Sequence, residues 1–196
     1  MTARRGTILL VRHGEPALSR RVRLSAREYR QWWDLYEIGG IRTGQVPPQG
    51  LAAEARTIPN VVSSTRRRAI ETTQALIGER DFIQDGGLIE APLPPPPFPG
   101  VIRLSPKTWG FIARVWWWFF NHHDIGAENR AEAEARAEAM SARLIAMTDR
   151  GGDVLVVAHG FFNFMIGRVL IRRGWRRVED QGFRYWSIKR FDAPDH

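Results

Sequence analysis

The stretch "ILLVRHGEP", residues 8–16, opens as an apolar run and passes without a spacer into arginine, histidine and glycine. Residues 7–11 are β-branched or leucine, the composition of a strand buried on both faces, which predicts a core strand ending at Arg12. Such a strand is a stiff mount, and here it carries a guanidinium and an imidazole. The pattern recurs in "DVLVVAHGFFNFMIGRVLI", residues 153–171, where a β-type run gives way to His159-Gly160 and then to helical periodicity. Twice, therefore, a predicted buried strand ends in a His-Gly pair, and no other internal repeat is visible.

Outward from these two points the elements alternate. Residues 24–36, "LSAREYRQWWDLY", have a serine start and apolar residues at helical spacing, which predicts a helix. Residues 39–50 are dense in turn formers and read as a loop into the short alanine-rich helix "LAAEAR". In "NVVSSTRRRAIETTQALIG" residues 61–63 read as a strand and 65–77 as a helix closed by Gly78, a second junction loaded with polar residues. Residues 90–100, "EAPLPPPPFPG", can form neither helix nor inner strand, because proline lacks the amide donor and fixes its own φ; a stiff extended loop is expected. Residues 107–123, the most aromatic stretch, read as a helix that packs on the core or covers a cleft. Residues 127–149 place Ala133, Ala137, Met140, Leu144 and Met147 on one helix face, with Glu132 and Arg136 as an exposed pair. Residues 185–191 are expected to form a last strand.

Composition narrows the function classes. With 196 residues, 43% of them hydrophobic, the chain can bury one substantial core, and a single domain over residues 1–196 is expected. There is no cysteine, so disulfides, thiol nucleophiles and zinc-thiolate sites are excluded. Arg4 and Arg5 precede an apolar run too short for a signal-peptide core, which makes the cytoplasm the default. The aromatic stretch is shorter than a membrane span and carries Arg114 in its middle, so no transmembrane helix is expected. The net charge of +8 is carried mostly by arginine, whose planar fork of donors suits phosphate and carboxylate. Those arginines are scattered among acidic residues rather than set in a basic stripe, which argues against a nucleic-acid partner.

Alternating strands and helices imply an α/β domain with a mainly parallel sheet, and in such sheets ligands bind beyond the carboxyl ends of the strands. Three strand ends carry polar cargo: Arg12 to Glu15, Ser63 to Arg68, and His159-Gly160. Brought to one sheet edge, they supply imidazoles, guanidinium groups and helix N-terminal amides, the chemistry of a phosphate site.

"LLVRHGE", "SSTRRRAIETT" and "VVAHG", in that order over most of the chain, resemble the motifs of the histidine phosphatase superfamily, the phosphoglycerate mutase-like fold. The resemblance implies a three-layer sandwich and a phosphomonoesterase of the phosphatase branch, acting on a small phosphorylated substrate without a metal cofactor. It casts His13 as the nucleophile that becomes phosphohistidine. Arg12 and Arg68 would grip the phosphoryl oxygens while His159 completes the pocket, with Gly14 and Gly160 letting the backbone come close. Successive helical residues point about 100° apart, so Arg66, Arg67 and Arg68 cannot all face one site. The glutamate that protonates the leaving group falls on Glu90, where a proline run replaces the family's glycine and aromatic turn; Glu15 is the other carboxylate close in sequence. Residues 90–123 read as a loop and helix insertion near the active site. Residues 16–33 lack the asparagine and Gly-Trp elements of phosphoglycerate mutases, leaving mutase chemistry as the alternative, alongside a non-catalytic phospho-ligand-binding module. Core packing, a substrate cleft and a homodimer contact are the three uses open to the aromatic stretch.

Overall fold

A computed structural model describes residues 6–194. Arg4 and Arg5 lie outside the described residues. The chain folds as β1 (Ile8–Arg12), α1 (Ala26–Ile38), α2 (Gln49–Thr57), β2 (Asn60–Ser64), α3 (Arg67–Ile77) and β3 (Ile83–Asp85), followed by a 3₁₀ turn. Then come α4 (Pro106–Phe120), α5 (Arg130–Gly151), β4 (Val154–Ala158), α6 (Gly160–Arg172), β5 (Arg176–Asp180) and β6 (Ile188–Asp192). The six strands form one sheet in the order β3-β2-β4-β1-β6-β5. The first four run parallel, and β6 and β5 add an antiparallel hairpin at the β1 side.

Side-chain alternation divides the core into layers. Ile8 and Leu10 join Val62, Val154 and Val156 under α5 and α6, whereas Leu9 and Val11 join Val61, Leu155 and Val157 under α2 and α3. Both faces are covered, which is why the inner strands read as unbroken apolar runs. A smaller cluster pairs α1 with α4 through Tyr29, Trp32, Tyr36 and Trp109. Trp109 and Trp117 are fully buried while Phe119 and Phe120 are 73% and 67% exposed, so the aromatic stretch serves packing through only part of its length. Among the described residues no helix is long and apolar enough to cross a membrane.

The structure adds two strands that the sequence reading did not contain and changes one expectation. Strands β3 and β5 carry no buried hydrophobic pattern, because edge strands hold their place by backbone pairing and leave their side chains to solvent. Glu132 does not pair with Arg136: its carboxylate turns back to the Asn129 amide, 2.9 Å away, in a capping box. Arg136 instead holds Glu128 through two 2.6 Å hydrogen bonds and donates to the carbonyls of Gly87 and Ile89, bracing the segment that leads to Glu90.

Candidate active site

The strand register brings the three polar junctions together. Arg12 stands opposite Ala158 across the β1–β4 pair, and Ser63 opposite Val157 across β2–β4, so His13 and His159 emerge level at the carboxyl edge with Ser64 one residue behind them. The His13 amide donates to the Ala158 carbonyl at 3.0 Å, continuing the ladder one residue beyond the strand. The His13 and His159 rings meet edge to face at 5.3 Å.

His13 is only 1% exposed, and its Nδ1 lies 2.7 Å from the Gly14 carbonyl. A carbonyl oxygen can only accept, so Nδ1 carries the proton and Nε2 keeps its lone pair. Burial, followed by the charges of Arg12 and Arg68, pushes His13 well below the usual imidazole range. His159 is lowered in the same way, by burial first and then by Arg68 and His13. Its Nε2 sits 3.0 Å from the Ser64 hydroxyl, while its buried Nδ1 has no partner.

Of the three consecutive arginines only Arg68 is fully buried. It donates from Nη1 to the Tyr36 carbonyl at 2.9 Å and from Nη2 to the Glu37 carboxylate at 2.7 Å, with its guanidinium over the Tyr36 ring. Arg66 takes the other Glu37 oxygen at 2.7 Å, and Arg67 pairs outward with Glu71. The C-terminal turn of α1 thus clamps Arg68 from behind, and its Nε, like that of Arg12, is a buried donor without a partner. Gly14 is required by close approach: a Cβ there would lie 2.6 Å from the Trp186 ring.

Glu90 is 9% exposed and sits at the start of α6, where its two oxygens accept from the Phe161 amide at 3.2 Å and the Phe162 amide at 2.8 Å. It supplies from a distant loop the cap that His159, the N-cap residue, does not provide itself. Glu15 lies on the other side, paired with Arg42 at 3.0 Å.

Arg12 and Tyr185, both next to His13, also line a cleft of about 750 Å³ whose other cations are Arg20, Arg21, Arg42, Lys107 and Arg184, while His13, Arg68 and His159 stand outside its lining. The loop between β5 and β6 forms one wall. The Phe183 carbonyl accepts from Arg12 Nη1, and the Tyr185 ring packs 4.7 Å from the Arg12 guanidinium and 6.0 Å from the His13 ring. Arg20 donates to the Tyr185 hydroxyl at 2.8 Å. Sequence reasoning missed Tyr185, Arg20 and Glu37, since each meets the site through contacts that no local spacing encodes. Among the described residues there is no cluster of three or more histidine, aspartate or glutamate side chains able to hold a metal ion.

Buried imidazoles and guanidinium groups thus gather at the carboxyl edge of a doubly covered sheet, the edge at which α/β proteins bind ligands. The chain belongs to the histidine phosphatase superfamily, branch 1, whose profile it matches over residues 8–195. No curated protein sequence matches it. Its fold is shared by the Mycobacterium tuberculosis open reading frame Rv3214, at 21% identity over 95% of this chain and 91% of that one, TM-score 0.58. A mycobacterial glucosyl-3-phosphoglycerate phosphatase in complex with VO3 is similar at 20% identity over 96% and 92% of the two chains, TM-score 0.58. An ecdysone phosphate phosphatase from Bombix mori in complex with tungstate is similar at 17% identity over 98% and 93%, TM-score 0.58.

Proposed function

We propose that this protein is a phosphomonoesterase that works through a phosphohistidine on a small phosphorylated metabolite, with arginines in place of a metal. The supporting observation is the set of buried, unpartnered nitrogens around His13: Arg12 Nε, Arg68 Nε and His159 Nδ1. Leaving a polar group buried and unpaired costs about 1–3 kcal/mol, a cost that the oxygens of a phosphoryl group offset. In this reading His13 Nε2 attacks phosphorus and the bond to the alcohol oxygen breaks, the alcohol leaving with a proton. Water then attacks the phosphohistidine, restoring neutral His13 and releasing phosphate. Fixed guanidinium groups stabilise the transferring oxygens without reorganising. The depressed proton affinity of His13 keeps the nucleophile neutral at physiological pH. Glu90 is the proton donor in this reading, and to reach the leaving oxygen its carboxyl must exchange one of the α6 amides for substrate. That occupied carboxylate is also the one feature favouring a module that binds phosphate esters without turning them over.

Rapid quenching of turnover should trap an acid-labile, base-stable phosphoryl adduct, and His13→Ala should lose both adduct and hydrolysis. Comparable hydrolysis by His13→Ala would overturn the mechanism. Phosphate-ester binding without any adduct in the parent protein would establish the binding module.

A further inference from the structure

We infer that the outward face of α4 docks on an anionic lipid bilayer, with the helix lying in the plane of the headgroup layer. That face lies outside the His13 site, so its docking is independent of the phosphomonoesterase reading. A surface helix normally turns polar residues to water, whereas α4 is apolar on both sides. The inner side buries Trp109, Ala113 and Trp117. The outer rows repeat at steps of four, Phe111, Val115 and Phe119 beside Ile112, Trp116 and Phe120, and no charged residue interrupts them. Phe111 and Phe119 are 67% and 73% exposed. The Trp116 ring meets Phe120 at 5.4 Å and Phe98 at 5.6 Å, so the apolar surface is connected and runs on to the proline loop. Single apolar residues on a surface need no explanation, but a connected patch marks an interaction site.

Charge identifies the occupant. Residues 91–123, which hold α4 and the loop before it, contain no aspartate or glutamate, although the whole chain has 21. Their charged side chains are Arg103, Lys107 and Arg114. The first acid beyond them, Asp124, is held by Arg30 at 2.5 Å. Lys107 stands one turn before Phe111, and the exposed Arg168 of α6 lies over the Trp118 ring at 5.1 Å. A second copy of the chain seated on this face would bring those cations against their own images. An anionic headgroup layer meets them with opposite charge, while the aromatic rings enter the boundary between headgroups and acyl chains. The net charge of +8 draws the whole molecule toward the same surface. With 15 residues α4 is too short to span a bilayer, which leaves the in-plane position. Ser105 and Lys107, at the start of α4, also line the cleft, so a docked chain holds the cleft next to the headgroups.

Co-sedimentation of the full chain with vesicles tests this, comparing phosphatidylcholine alone with phosphatidylcholine containing about 30% phosphatidylglycerol. Half-saturation should need about tenfold less lipid, or lower still, on the anionic vesicles. The double variant Phe111→Ser, Phe119→Ser removes apolar contact without changing charge. Both positions are exposed, so it should keep the parent's melting temperature while raising the anionic lipid needed by about tenfold or more. Should the pair unfold the chain, Phe119→Ser alone, at the most exposed of the three phenylalanines, decides by a shift of about threefold or more. Failure of the parent to bind anionic vesicles overturns the inference, as does binding indifferent to phosphatidylglycerol. Equal binding by the parent and the folded serine variant overturns it too, since the cations would then act without the rings. A concentration-dependent dimer that the serine variant dissolves, with no vesicle binding, would give the face to a second copy and overturn it as well.

Discussion

His13 acquires its chemical character from one carbonyl. The Gly14 oxygen fixes the proton on Nδ1, and burial with two neighbouring guanidinium groups keeps the ring neutral, so a lone pair is available without a separate base. Glu90 shows the opposite condition, a carboxylate with both oxygens already engaged. A general acid matters in proportion to how badly the leaving oxygen needs a proton, which separates catalysis from capping. Glu90→Gln should slow hydrolysis of an alkyl phosphate by about a hundredfold or more and leave p-nitrophenyl phosphate within about tenfold of the parent, provided transfer to His13 limits the rate. Burst kinetics check that proviso. Equal slowing of both esters, with a lowered melting temperature, would assign Glu90 to capping alone.

At the scale of the element, α6 links the core to the site. Its N-terminus holds His159 and the amides gripped by Glu90, and its middle packs on β6, where Gly167 faces Phe191. A Cβ at Gly167 would lie 2.8 Å from the Phe191 Cζ, and Phe191 is fully buried. Glycine in a helix interior normally costs about 1 kcal/mol relative to alanine, whereas forcing a methyl into a packed core costs about 1–3 kcal/mol. Because Phe191 is fully buried, its ring can yield only by displacing packed neighbours, so crowding should win. Gly167→Ala should lower stability in urea unfolding by about 1 kcal/mol. An increase would show that β6 yields to α6.

For the whole molecule, the same burial that prepares the site sets its acid sensitivity. His13 and His159 bind protons less readily folded than unfolded, so their folded-state values lie below the unfolded value of about 6.5. As pH falls through that value the unfolded chain takes up protons that the native state refuses. The contribution to stability is therefore complete above about pH 6.5 and lost as pH falls toward the folded values, at up to about 1.4 kcal/mol per pH unit for each histidine. Unfolding free energies at about pH 7.5 and about pH 5.5 should show this loss, and the double variant His13→Gln, His159→Gln should flatten it. An unchanged slope in that variant would place the acid sensitivity elsewhere.

The parallel core and the two His-Gly strand ends were legible in the sequence because each depends on a local rule, whereas the choice of Arg68 among three arginines came from the family resemblance. Apolar runs mark strands covered on both faces, and the 100° step of a helix lets one of three arginines turn inward. Edge strands β3 and β5 escaped that reading, since backbone pairing leaves no hydrophobic signature. Glu90 was legible as a carboxylate near the site, but its grip on the α6 amides was not. The Glu37 clamp on Arg68, the Tyr185 wall beside His13 and the gathering of cations round the cleft came only with the tertiary structure. Arg12 and the Phe183 carbonyl are 171 positions apart, and no periodicity spans that distance. The sequence determined which side chains stand at the strand ends; the packing of remote loops decided which of them are satisfied and which are left to bind.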